Sequence, residues 1–203
     1  MAVMSDVRPE SEAGPRIGGL EAASAAASGR GLPPVHLWNP PHCGDIGMRI
    51  ARDGTWFYQN SPIGRPALVR LFATILRKDP EGHVLVTPVE KVSVDVEDAP
   101  FLAVELALEG EGPLRRVRLR TNVDDWVEID AEHPLRVEPG DAEGVKPYVL
   151  VRGGLWALLT RAITYDLVGL GETRTVDGVR LFGIASAGAF FPIAQADEIE
   201  GLA

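Results

Sequence analysis

The sequence predicts an α+β fold assembled from two related halves, with antiparallel sheets and one main helix in each half. Three observations carry this expectation. Apolar residues alternate with polar ones through the middle of the chain, which is the period of a half-buried strand. Two stretches instead space their apolar residues as one face of a helix does. Like residues also recur between the halves at a constant offset of 90 positions: Tyr58 with Tyr148, Gly64 with Gly154, Ala67 with Ala157 and Leu68 with Leu158. A recurring hairpin–helix–strands order at fixed offset reads as a duplication. The division expected is a mobile segment over residues 1–30, a first domain over 31–122 and a second over 123–203.

The elements follow in order. Residues 1–30 are rich in Ala, Gly, Ser and Glu and offer little apolar area to offset the entropy of ordering. Met48–Ala51 and Thr55–Tyr58 flank Asp53-Gly54, whose tolerance of positive φ marks a tight hairpin. Pro66 suits a first helical turn, and Leu68, Leu71, Phe72 and Ile75 fall on one helical face. Asp79-Pro80-Glu81-Gly82 supplies the turn expected to end that helix. A meander is then predicted through Val84–Thr87, through Val92, Val94 and Val96, through Leu102–Leu108, and through Leu114, Val117 and Leu119.

In the second half, Leu135–Val137 and Tyr148–Val151 read as strands. Gly153-Gly154 is expected to open the second helix, with Leu155, Leu158, Leu159 and Ala162 on its buried face and Gly169 and Gly171 at its end. Val179–Ile184 and Ala189–Ile193 close the fold as a strand pair.

Several of these segments resemble a known family. Asp53-Gly54-Thr55-Trp56, Ser61-Pro62-Ile63, the run from Val84 to Lys91, the run from Val96 to Phe101, Thr121-Asn122, His133–Arg136 and Ser186-Ala187-Gly188 are similar to the bacterial family called domain of unknown function 1285. The resemblance runs from about Pro33 to Ile193. It implies a duplicated two-domain α+β fold, with a second half loosely like the pleckstrin-homology barrel. It also implies a part in signalling and a nucleotide-like ligand between the domains. It brings no catalytic residue and no cofactor.

Composition narrows the function classes. Twenty-nine acidic residues against 20 basic ones leave a formal charge of −9 in 203 residues, which disfavours nucleic acid and anionic membranes as partners. The single cysteine, Cys43, excludes an intrachain disulfide, and no apolar stretch reaches the length of a bilayer span, so a cytoplasmic setting is expected. His42-Cys43 with Asp45 lacks the further Cys or His that a zinc site needs, and no metal is expected. Gly169-Leu170-Gly171 ends a predicted helix instead of opening one and has Arg174 where the dinucleotide fingerprint needs glycine. Arg116, Arg118 and Arg120 share one strand face, where acidic neighbours such as Glu105 are expected to pair with them.

The functional expectation is therefore a non-enzymatic binding or signalling protein with a small anionic, nucleotide-like ligand at the junction of the halves. Each predicted helix start sets arginine beside glycine, Gly64-Arg65 and Arg152-Gly153-Gly154, where free N–H groups and the helix dipole favour anions. Ser61, Arg65, Asn122, His133, Arg136 and Arg152 are the ligand-binding candidates. Two other readings stand beside it: a hydrolase-like enzyme using His133 as base with a carboxylate from Glu97 or Asp98, and a protein-interaction module.

Overall fold

Asp53-Gly54 does close a hairpin: β1 (His42–Ile50) returns as β2 (Trp56–Tyr58), with Ile50 opposite Trp56 and Gly54 at a φ of 80°. β2 continues into a short β3 (Ser61–Pro62). The first helix, α1 (Pro66–Thr74), has proline in its first turn as its sequence requires, and it buries Phe72 and Ala73. It ends earlier than expected. Leu76–Asp79 is strand β4, and Pro80-Glu81 turns it into β5 (Gly82–Val86), so that turn closes a hairpin and not a helix. β6 (Lys91–Val96) then pairs with β5 on one side and runs parallel to β1 on the other. These are coordinates of a computed structural model, and they describe residues 31–140 and 144–197; the expectation of a mobile 1–30 segment lies outside the described residues.

The second sheet starts at β7 (Phe101–Glu109), continues through β8 (Arg116–Thr121) and β9 (Trp126–Glu128), and is completed by β10 (Leu135–Pro139), β11 (Val145–Arg152) and β12 (Leu155–Leu159). Gly153-Gly154 opens no helix. With φ of 50° and 78° the two glycines form the tight turn between β11 and β12. The following Leu155, Ala157 and Leu159 are buried in alternation, the period of a strand. Leu114, assigned to a strand from its spacing, sits in a 3₁₀ turn, Gly112–Leu114. The second helix, α2 (Arg161–Gly169), comes after β12. Three antiparallel strands follow: β13 (Glu172–Val176), β14 (Val179–Ser186) and β15 (Ala189–Gln195).

The repetition is real, but it is not the one the 90-residue offset implies. Leu68 lies on α1 and Leu158 on β12, both half-buried. The repeat is in topology. The first sheet has the order β3-β2-β1-β6-β5-β4; the second, read from β9, has β9-β8-β7-β12-β11-β10. In each, three strands step outward from the centre, the chain crosses over, and three strands step back until the last lies parallel to the first. Helix α1 makes the crossing in the first unit, and an irregular stretch between β9 and β10 makes it in the second. The two parallel pairs make both sheets mixed instead of antiparallel. The change from one sheet to the other falls between Val96 and Phe101, so β7 and β8, placed before residue 122 in the sequence reading, belong to the second unit. Met48, Phe72, Phe101, Val149 and Leu167 join one buried cluster, so the two units share a core.

Candidate functional site

On β6, Val92 and Val94 are buried while Lys91 and Ser93 alternate with them toward the opposite face. Register brings further polar residues to that face. His42 is opposite Lys91 on β1, and Val84, itself opposite Ser93 on β5, is opposite Arg77 on β4. A cavity of about 310 Å³ opens here, lined by His42, Asp79, Glu81, His83, Lys91 and Ser93 around Val84. Its size falls at the lower end of the range for small-molecule sites, roughly 300–1,000 Å³.

Its electrostatics centre on Asp79. The Arg77 guanidinium donates to both carboxylate oxygens, Nε at 2.6 Å and Nη2 at 3.0 Å, and the Lys91 ammonium donates at 2.8 Å. Bonding to Arg77, and then to Lys91, holds the Asp79 carboxyl at about 2 against the opposing cost of burial. Two cations thus share one carboxylate, and Lys91 keeps donor capacity beyond its bond to Asp79. Ser93 Oγ and His42 Nε2 are 2.9 Å apart. Burial pushes the His83 imidazole down to about 4, with Lys78 adding repulsion, so His83 is neutral near pH 7. The lining therefore gathers an ammonium, a hydroxyl and imidazoles, donors that suit a small anion, beside two carboxylates, Asp79 and Glu81.

The six residues singled out from sequence lie elsewhere, each with its own surroundings, and none lines this cavity. Ser61 is exposed on β3, and Arg65 is exposed immediately before α1. Asn122 accepts from the Leu102 amide at 3.0 Å, and its side-chain nitrogen lies against Gly54, where a Cβ would come within 2.7 Å. His133 Nδ1 is 3.0 Å from Asp130 Oδ1, which also accepts from the His133 and Glu132 amides. The partner of His133 is thus this local turn carboxylate and neither Glu97 nor Asp98. Arg136 covers the rings of Trp156 and Tyr148, at 4.3 and 4.9 Å, and pairs with Glu138 at 3.1 Å. Arg152 bonds Asp125 and donates to the Ala73 carbonyl at 2.9 Å, while lying 5.1 Å from the Phe101 ring. It fastens the β11–β12 turn to the end of α1, and with no helix opening beside it, the helix-start argument for Arg152 falls.

Other polar groups also make structural ties. Glu97 accepts from Arg49 and from the Arg52 amide at 3.0 Å. Asp98 accepts from the Tyr148 hydroxyl at 2.7 Å and from Lys146 at 2.9 Å, which raises the Tyr148 hydroxyl above its ordinary range, with burial as the larger cause. Arg116, Arg118 and Arg120 pair with Glu128, Glu109 and Glu105, the charge-paired face expected of β8. Among the described residues no three or more His, Cys, Asp or Glu side chains are arranged to hold a metal ion, and no helix is long and apolar enough to cross a membrane.

Sequence reasoning missed the cavity because it missed β4. Once Leu76–Asp79 is a strand, Arg77 and Asp79 share a face with Lys91 and Ser93. The legible signal was the period-two placing of Lys91, Ser93 and Asp95 against three valines.

Two family models match the chain: "Domain of unknown function (DUF1285), N-terminal domain" over residues 33–99 and "Protein of unknown function (DUF1285), C-terminal domain" over residues 100–193. The chain is similar to the crystal structure of a DUF1285 family protein from Silicibacter pomeroyi, with 46% identity and a TM-score of 0.79 over 91% of this chain and 100% of that one. It is also similar to a DUF1285 family protein from Shewanella baltica, at 30% identity and a TM-score of 0.48, over 61% of this chain and 91% of that one. No curated protein matches it.

Proposed function

Because the chain belongs to the DUF1285 family, whose description names no activity, we propose its function from the cavity: it is a ligand-binding protein that takes a small anion, such as a carboxylate or a nucleotide-like phosphate, within its first sheet. The observation that carries this reading is the convergence of Lys91, Ser93 and His42 on one cavity in which one of the two lining carboxylates, Asp79, is already neutralised by Arg77, the other being Glu81. A chain with a formal charge of −9 does not draw anions at long range, so such a site has to be local and preorganised, and the fixed Arg77–Asp79–Lys91 bonding supports that here. The reading keeps the anionic ligand expected from sequence but moves it from the junction of the units to the outer face of the first. A role in signalling belongs to the same proposal, as does the pleckstrin-homology likeness of the second half, for which a sheet, a helix and a three-stranded meander are the supporting features.

The test is a thermal-shift panel of inorganic phosphate, mononucleotides and small carboxylates, followed by calorimetric titration of the best binder. A ligand that binds only the folded state raises the melting temperature. A rise that disappears in Lys91→Ala supports the site; an equal rise in that variant places binding elsewhere.

A further inference from the structure

The cavity is bordered by the chain segment that leads into β1, an arm spanning residues 33–41. Its last residue, Pro41, accepts a hydrogen bond from the Lys91 amide at 3.1 Å, and the next residue, His42, lines the cavity. Farther up the arm, the Val35 and Trp38 carbonyls each accept from Arg77 Nη1 at 2.7 Å. The other two nitrogens of that guanidinium grip Asp79, and Asp79 in turn accepts from Lys91 Nζ at 2.8 Å. A continuous chain of charge-assisted hydrogen bonds thus runs from the cavity's ammonium through Asp79 and Arg77 to the middle of the arm, while the arm's end returns to the cavity at His42.

Beyond these bonds the arm is anchored at its start by Pro33, which is buried, and is only loosely packed farther along. Its 3₁₀ turn, Val35–Leu37, buries no residue, and Leu37 is 71% exposed. Val35 and Trp38 pack against the core only partly buried. Segments with few apolar contacts open at low free-energy cost and so respond to small changes at their anchors.

We propose that this arm is the read-out of the cavity: an anion held between His42 and Lys91 fastens the arm to the sheet, and the Lys91–Asp79–Arg77 relay carries occupancy to Val35 and Trp38. The proposal rests on the anion reading of the cavity and adds its regulation. The direction follows from geometry. A ligand bridging His42 and Lys91 adds a second tie between the end of the arm and β6, beside the Pro41 bond. Coupling of this kind is reciprocal, so an arm that is loosened must bind the anion more weakly, even when the loosened residue does not touch the cavity.

Two experiments on the full chain decide it. In the first, amide hydrogen exchange at residues 35–38 is followed with and without inorganic phosphate, and phosphate is titrated into the wild type and Trp38→Ala. Phosphate is expected to slow exchange there, and Trp38→Ala to bind it about fivefold or more weakly while still unfolding cooperatively. Phosphate bound with exchange and affinity unchanged overturns the read-out. The second needs no ligand. Lys91→Met is expected to speed arm exchange in the wild-type background and to add nothing in Asp79→Asn, because the relay passes through that carboxylate. An effect of the same size in both backgrounds, or none in either, overturns the relay. Absence of any phosphate binding removes the anion reading alone and leaves this cycle to judge the relay.

Discussion

Two aspartates in this protein are held by cations in nearly the same way and serve different ends. Asp79 is gripped by Arg77 and Lys91, and Asp98 by Lys146 and the Tyr148 hydroxyl, with Arg52 at 3.6 Å. Their side chains are about equally sheltered, 12% and 10% exposed. The difference is what surrounds them. Asp79 sits at the end of a strand beside a cavity, and its cations come from its own sheet. Asp98 sits on the linker between β6 and β7 and draws its partners from both units, so it fastens one sheet to the other. The same kind of ion pair borders a cavity where space adjoins it and is a rivet where packing closes over it.

The largest effect that sharpens the contrast is expected at the rivet. Asp98→Ala strands the Lys146 ammonium and the Tyr148 hydroxyl, and leaving sheltered polar partners unpaired costs about 2–3 kcal/mol. Urea denaturation should show that loss with phosphate affinity intact. A variant as stable as wild type, or one that binds phosphate less well while equally stable, breaks the division of roles.

Next comes Lys91→Ala, expected to act on binding and not on folding. Removing one charge-assisted hydrogen bond weakens an anion by about 1.5–3 kcal/mol. The unfolding free energy should move by less than about 1 kcal/mol, because Arg77 still neutralises Asp79. Titration calorimetry and denaturation on the same sample separate the two. Arg152→Ala should behave like the rivet: about 1–2 kcal/mol less stable, through the orphaned Asp125 and Ala73 carbonyl, with ligand affinity unchanged.

Much of this was legible in the sequence where one local signal governs the structure. Asp53-Gly54 dictated its hairpin, and Pro66 with Phe72 and Ile75 dictated α1. Alternation dictated β6 and β8; it also marked β7 as a strand but on the wrong face, since Phe101 and Ala103 are buried there while Val104 and Leu108 are exposed. The errors came where two periods compete. Leu155, Leu158, Leu159 and Ala162 satisfy a helical face, yet Leu155, Ala157 and Leu159 also satisfy a strand, and the Gly-Gly turn before them settles it as β12. The 90-residue offset aligned helix with strand for the same reason. The site was harder, because pairing across β4, β5, β6 and β1 assembles it, and register is not written in any one segment. His42 was noticed beside Cys43 and Asp45, but its partner is Ser93, 51 positions away.

The smallest expected effect concerns protons. His83 lines the cavity with its imidazole pushed down to about 4 from an ordinary 6.5, burial being the main cause. The unfolded chain therefore binds a proton at His83 between about pH 6.5 and pH 4 that the folded chain refuses, and stability must fall as pH falls through that window. Asp79 acts lower down: its carboxyl is held near 2 in the folded protein, so its contribution is intact above about pH 4 and is lost only as pH drops toward 2. The two windows barely overlap, which lets them be read apart. Because the imidazole is only half sheltered, its share after solvent screening is about 1 kcal/mol. His83→Asn should lose less melting temperature than wild type between pH 7 and pH 4.5, while Asp79→Asn should match wild type there and differ only in stronger acid. Parallel melting curves for wild type and His83→Asn across pH 7 to 4.5 would show that the cavity wall is not buried enough to resist a proton.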